Sequence, residues 1–400
     1  MSMPSIHPTI RLQPGRDGRV KSGHPWVYSN EIVMDAATKA LPPGGVVDLV
    51  RTDGKPLGTW YFNPHNLIAL RRLSEASAMQ VDAAFLAERI EAARALRDRL
   101  FDRPFYRLIH AEADGLPGLA IDRFDDVLVC QSNTAGTDLM EPALLAALDQ
   151  VLAPRAIVWR DDSSVRAIEG LKIAEAGTLV KGALDGPIAL EENGARFLAD
   201  PVGGQKSGWF FDQRDNRAFV ARLAQGARVL DVYCHTGGFA VQAALAGAIR
   251  VLGIDRSKPA LALAAQAADL NGVAQRCQFH AGEAFAEMER RAVAGERYDV
   301  VIADPPAFAR SKRDLAIGLK GYRKMTAEAA ALVAPGGFLA VCSCSYNVEP
   351  TAFAEEVARG IMRAGRGGRV LRSAGAAPDH PVHPLLPESA YLKAMVLQLD

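Results

Sequence analysis

The rhythm of apolar and polar positions changes three times along this 400-residue chain. Over residues 1–74, short β-like runs ("RLQPGRDGRVKSGHPWVYSNEIV", "GGVVDLVRTDGKPLGTWYFN", "LIALRRL") are broken by turn dipeptides such as Asp17-Gly18 and Asp53-Gly54. This pattern predicts a small β-rich module. Residues 78–100, "AMQVDAAFLAERIEAARALRDRL", set apolar side chains three and four apart and predict an amphipathic helix. From about 105 to 195, strand-like and helix-like stretches mix, from "YRLIHAEADGLPGLAIDRF" to "IALEENGARFLAD", as in a separate α+β middle domain.

From residue 226 the alternation becomes regular. The apolar runs "ARVLDVY", "RVLGID", "CQFHAG", "YDVVIAD" and "GGFLAVCS" predict five strands. Between and after them "GFAVQAALAG", "KPALALAAQAADLNG", "YRKMTAEAAALVA" and "TAFAEEVARGIMRAG" predict helices. Continuous apolar strands separated by amphipathic helices imply a parallel sheet covered on both faces. The closing runs "RVLRSA" and "AYLKAMVLQL" have no helix between them and predict an antiparallel hairpin at the sheet edge.

Composition narrows the function less than the pattern does. Hydrophobic residues at 49% and charged residues at 23% are ordinary for a protein with real cores. Lys+Arg and Asp+Glu both number 46, so bulk charge favours no nucleic-acid partner and local patches must supply any such preference. Five scattered cysteines argue against a disulfide framework. The first residues lack a basic-then-apolar signal layout, and no apolar run reaches membrane-spanning length. The expectation is a cytoplasmic protein without a membrane partner.

In doubly wound sheets the ligand lies beyond the carboxyl ends of the strands. The first strand of the regular region runs into "DVYCHTGGFA", with Asp231 before the turn and Thr236, Gly237 and Gly238 within it. The second ends at Asp255, placed to accept from a ribose diol. A dinucleotide site needs G-x-G-x-x-G against a pyrophosphate. The register here is D-x-x-x-x-T-G-G, and an acid suits the amino and sulfonium groups of S-adenosylmethionine better than a diphosphate. The fourth strand delivers "DPPAF": Asp304 at its exit, a rigid Pro305-Pro306 turn, and the aromatic Phe308. Arg310, Lys312, Arg313, Lys320, Arg323 and Lys324 follow, either as a phosphate-neutralising cluster or as a solvated face.

The fifth strand ends in "VCSCSYN", where Cys342 and Cys344 admit three readings: a metal clip, core filling, or a thiol nucleophile. The C-x-C spacing, with the other cysteines far off in sequence, disfavours zinc. Cys342 closes the apolar run, whereas Cys344 lies between serines at the strand exit. A thiolate at such a site has a definite use. Carbon 5 of a pyrimidine becomes nucleophilic once a thiolate adds to carbon 6.

Several blocks in order carry a family resemblance. They are "SGHPWVYSNEI", "AEADGLPGLAIDRF", "KSGWFFDQRDNR", "HTGGFA", "DPPAF", "SCS" and "DHPVHPLLPESAYLKAM". With these the chain resembles the bacterial 23S ribosomal RNA cytosine-C5 methyltransferases, the S-adenosylmethionine-dependent group with an N-terminal PUA domain. The resemblance covers nearly the full length. It implies a PUA domain over 1–74, a middle α+β domain over 75–200, and a Rossmann-like class I methyltransferase over 201–400 with a mostly parallel seven-stranded sheet. It also implies Cys344 as nucleophile and Asp304 in the catalytic pocket. Asp231, Thr236, Gly237, Gly238, Asp255, Glu283, Phe211, Gln213 and Arg214 would then surround the cofactor, with Lys206 and Asp212 beside them. The implied partner is 23S ribosomal RNA or a large-subunit precursor, with the oligomeric state open to a homodimer. One departure is Ala307, where other RNA cytosine-C5 enzymes carry a second cysteine.

For RNA, the N-terminal module offers Arg11, Arg16, Arg19 and Lys21, and the C-terminal part offers Phe308, Arg310 and Lys312. Trp26 reads either as a stacking residue or as the core of a small barrel. Two rival functions stay open: methylation of an exocyclic amine by Asp-Pro-Pro-Phe, and a non-catalytic RNA-binding assembly factor.

Overall fold

The computed structural model describes residues 6–400. They form two compact units. The first comprises residues up to 186 with 200–208 and 379–387, and the second 187–199, 209–378 and 388–400.

The first unit holds two five-stranded sheets. One runs, in spatial order, Thr9–Arg11, Gly45–Val50, Pro56–Phe62, Ile68–Ser74, Trp26–Tyr28. Its core gathers Ile10, Val27, Val47, Leu49, Trp60 and Phe62. Trp60, rather than Trp26, is the tryptophan of that core. Trp26 is half-buried, and its Nε1 donates to Glu112 at 2.7 Å. The second sheet runs Thr178–Lys181, Ala156–Arg160, Val127–Ser132, Leu119–Phe124, Phe105–His110. Helix Ala83–Leu100 packs on the Phe105–His110 strand and on helix Glu141–Leu152. The first of these helices starts five residues later than its apolar spacing predicts. Asp82 sets the start by accepting from the Phe85 amide at 3.0 Å, an N-cap that satisfies an otherwise orphaned donor.

In the second unit we number the main sheet's strands β1 Arg228–Val232, β2 Arg250–Asp255, β3 Cys277–Ala281, β4 Tyr298–Ala303, β5 Val333–Ser343, β6 Gly368–Ala374 and β7 Lys393–Leu399. Its helices are α1 Arg214–Ala221, α2 Gly238–Leu245, α3 Lys258–Leu270, α4 Ala284–Val293, α5 Leu315–Leu332 and α6 Pro350–Arg363. The spatial order is β3-β2-β1-β4-β5-β7-β6. The first five strands are parallel, and β7 is antiparallel to both neighbours. The hairpin expected at the edge is there, but it folds back: the last strand inserts between β5 and the outer β6. Met288, Tyr322, Met325, Phe353 and Val357, from α4, α5 and α6, share one core with Leu230, Val301, Leu339 and Val341 of the sheet.

Helix α4 has no counterpart in the sequence reading. Its "AFAEMERRAV" run is short and charged, and one of its buried positions is Arg291, whose guanidinium pairs with Glu287 and Glu296. A hairpin, Ile188–Glu192 with Ala195–Ala199, completes the unit. Glu192 closes it onto α1 and α2 by accepting from Arg217 (2.7 Å), Trp209 Nε1 (3.1 Å) and Gln242 Nε2 (3.1 Å).

Candidate active site at the strand exits

Parallel pairing fixes what meets at the carboxyl ends of β1, β2, β4 and β5. The register sets Val232 opposite Ala303 and Ala303 opposite Val341. Asp304, one residue past β4, donates its amide to the Val232 carbonyl at 3.4 Å. Asp231, Asp304, Cys342 and Cys344 are thus drawn to one edge.

Asp231 is fully buried. Its Oδ2 accepts from the Ala240 amide at 3.0 Å, which caps the start of α2, and its Oδ1 has no hydrogen-bond partner among the described residues. Burial first, and then the neighbouring Asp304, hold its carboxyl well above the usual carboxylate range. The bare oxygen is suited to an N–H donor of a bound molecule, as the amino group of S-adenosylmethionine would provide.

The turn between β1 and α2 is backbone-strained. Tyr233, His235 and Gly237 all have left-handed φ, at +67°, +49° and +81°. Only glycine takes that region without cost, so the two side-chain-bearing residues must be held there. Asp255 supplies part of the hold: its Oδ2 accepts from the His235 amide (3.0 Å) and its Oδ1 from the Ser257 amide (2.8 Å). Thr236 is buried, with Oγ1 3.3 Å from His235 Nδ1. The neighbouring glycines serve different needs. Gly237 answers to backbone conformation. A Cβ on Gly238 would lie 2.5 Å from Arg217 Nε, so that glycine makes room for the Arg217–Glu192 pair.

Glu283 is exposed, and its carboxylate caps α4 by accepting from the Phe285 amide at 3.2 Å. Phe211 and Gln213 are buried just before α1. Arg214 sits 5.5 Å over the Phe211 ring, and Gln213 accepts from Asn216 at 2.8 Å. Asp212, beside them, accepts from the Tyr391 hydroxyl at 2.5 Å. Lys206 belongs to the first unit.

The two cysteines separate clearly. Cys342 lies within β5, 1% exposed and paired in register with Ala394 of β7. Burial, and after it Asp304, push its thiol well above the ordinary range. Cys344 lies one residue beyond the strand and is partly exposed, with its thiol 3.9 Å from the Pro305 carbonyl of the Asp-Pro-Pro turn.

Ser345 locks that exit. Its Oγ accepts from the Ala309 amide (3.1 Å) and lies 2.8 Å from the Tyr322 hydroxyl, while its carbonyl accepts from Lys393 Nζ (2.6 Å). Lys393 is the functional candidate that sequence reasoning missed. A lysine inside the apolar run "YLKAMVLQL" reads as a strand-end charge, yet only 5% of it is exposed.

Phe308 packs between Phe285 (6.3 Å) and Tyr322 (4.7 Å) in a row of aromatic rings. Of the basic cluster, Arg323 pairs with Glu356 and Lys324 with Glu328, while Arg310 and Lys312 are exposed. In the first unit Arg19 pairs with Glu31 and Lys21 with Asp17, whereas Arg11 and Arg16 are exposed with no ion-pair partner among the described residues. No group of three or more His, Cys, Asp or Glu side chains suited to a metal occurs among the described residues, and no helix there is long and apolar enough to cross a membrane.

A family model for S-adenosylmethionine-dependent methyltransferases matches residues 173–396, and one for PUA-like domains matches 10–75. The chain belongs to the S-adenosylmethionine-dependent methyltransferases. This methyltransferase is 36% identical over 395 residues to the ribosomal RNA large subunit methyltransferase I of Aeromonas hydrophila, covering 98% of the chain and 99% of the relative. With the protein of the same name from Shewanella denitrificans it shares 37% over 395 residues, again 98% and 99%. Among solved structures, SMU.776, described as a candidate methyltransferase in complex with SAH, superposes with a TM-score of 0.83 at 20% identity, covering 98% of this chain and all of that one. That likeness shows the methyltransferase fold, and the family model gives S-adenosylmethionine as the cofactor.

Proposed function

We propose that this methyltransferase acts in the cytoplasm on 23S ribosomal RNA or a large-subunit precursor, and forms 5-methylcytosine through a covalent adduct at Cys344. The observation that carries the reading is the contrast between the cysteines. Cys342 is sealed in the sheet, whereas Cys344 is open at the strand exit against the Pro305 carbonyl of the Asp-Pro-Pro turn. S-adenosylmethionine, when bound, supplies an electrophilic methyl group. Asp231 receives its amino group, and Asp255, which already orders the turn, receives its ribose. Phe211, Gln213, Arg214 and Glu283 close the remaining sides. The Cys344 thiolate adds to carbon 6 of the cytosine, which turns carbon 5 into a nucleophile. After methylation, loss of the carbon-5 proton expels the thiolate. Asp304 orients the base.

RNA is gripped elsewhere too. Arg11 and Arg16, unpaired on the N-terminal module, contact phosphates, supported by Arg19 and Lys21 once their acids yield. Arg310 and Lys312 do the same beside the catalytic pocket.

The test uses target RNA containing 5-fluorocytosine, whose carbon-5 substituent cannot leave as a proton. Wild type and Cys342→Ala are expected to form an adduct that survives denaturing electrophoresis, and Cys344→Ala is not. Bisulfite sequencing of ribosomal RNA with and without the enzyme should locate the modified cytosine. Absence of trapping in every variant, together with methylation of an exocyclic amine, would move the assignment to an Asp-Pro-Pro-Phe amine methyltransferase.

A further inference from the structure

Lys393 opens β7 opposite Ser343, the last residue of β5, so its side chain starts one residue away from Cys344. The ammonium group is buried and donates to two main-chain carbonyls, Ser345 (2.6 Å) and Tyr391 (2.7 Å). Ser345 is the residue after Cys344, and its hydroxyl already binds the loop that follows the Asp-Pro-Pro turn. A buried ammonium fixed by carbonyls is an expensive feature for a strand that needs only an apolar residue there. It lies within electrostatic reach of the Cys344 thiol.

We propose that Lys393 is the positioning residue that ionises Cys344: its ammonium, anchored on the Ser345 and Tyr391 carbonyls, stabilises the thiolate and fixes the strand exit that carries it. This rests on the reading of Cys344 as the nucleophile. In the step, the thiol S–H breaks, its electron pair stays on sulfur, and the proton passes to solvent on the open side of Cys344. Lys393 keeps its three hydrogens.

The surrounding titratable groups bear on both partners. Burial brings the Lys393 ammonium down to about 8, while Cys344 and then Glu349 favour its charged form. Tyr322 on α5 and Cys342 on β5 lie within electrostatic reach of Cys344, and Asp304 within reach of Cys342. Tyr391 is itself bound to Asp212. Lys393 is a cation within electrostatic reach of Cys344 and favours its ionised form.

The experiment follows alkylation of the Cys344 peptide by iodoacetamide against pH in the full-length enzyme without RNA. In wild type the midpoint should lie below the ordinary thiol value of about 8.5. In Lys393→Met it should rise by about one unit, with labelling at pH 7 slowed roughly tenfold, and Lys393→Arg should keep most of the lowering. An unchanged midpoint in Lys393→Met would overturn the proposal, as would an arginine variant matching the methionine one, which would mark a packing role. Should the variants fail to fold, a wild-type midpoint at or above about 8.5 overturns it alone. Methyl transfer by Cys344→Ala is scored separately. Activity there would defeat the nucleophile assignment, while the alkylation midpoint still decides what Lys393 does.

Discussion

Arg97 in the first unit and Asp231 in the second are both wholly shut off from solvent, and their surroundings are opposite in kind. Arg97 is matched on every side: bidentate to Asp114 (2.5 and 2.8 Å), and donating to the carbonyls of Arg107 (3.0 Å) and Asp379 (3.0 Å). Asp231 has one amide donor, one oxygen with no partner among the described residues, and two acids, Asp304 and Asp255, acting on it against a single base, Arg217. A buried charge that serves the fold is neutralised by the fold. One left among its own kind costs stability and points to a partner the protein does not itself contain.

This contrast can be broken by mutation, and the largest effect should come from the matched side. Arg97→Met strands the buried Asp114 and should cost about 3–5 kcal/mol in chemical unfolding. Asp231→Asn should move stability the other way. Its raised carboxyl contributes stability only at low pH, and loses it as pH rises from the ordinary carboxylate range through the folded value. Near neutral pH the asparagine therefore removes a penalty, and the unfolding midpoint should rise. The same variant should bind S-adenosylmethionine about 1.5–3 kcal/mol more weakly by calorimetry. An Asp231→Asn protein that is destabilised and binds normally would erase the distinction.

Acid sharpens the comparison. His110 faces Arg107, Arg97 and, at 5.0 Å between rings, His380. Burial first and then these charges bring its imidazole down to about 2. Between its ordinary value near 6.5 and about 2, the unfolded chain takes a proton that the native state refuses. Stability should fall as pH drops below 6.5, and His110→Gln should flatten that slope in unfolding titrations followed by circular dichroism. The smallest expected effect is on RNA: Arg16→Ala should reduce the salt slope of binding by about one, with cofactor affinity unchanged.

The sequence carried the second unit's alternation well because parallel strands buried on both faces read as continuous apolar runs, as in "YDVVIAD" and "RVLGID". It was silent where a residue's role depends on a distant partner. The insertion of β7 between β5 and β6 is a pairing choice that no local pattern encodes. Gly238 answers to Arg217, Glu283 spends its carboxylate on a helix cap, and Lys393 is buried because two carbonyls receive it. The strand-exit acids were legible, since topology places such residues at a ligand edge. Their crowding was not.

Because the last strand lies inside the sheet, the order of synthesis matters. While the ribosome is still making residues 368–392, β5 has its parallel neighbour β4 but presents a bare edge on the other side. An unpaired apolar edge is a template for pairing with another chain. Until Lys393–Leu399 is made and inserted, that edge is open to pairing with another chain, and Lys393 reaches the Ser345 carbonyl only once the edge is sealed.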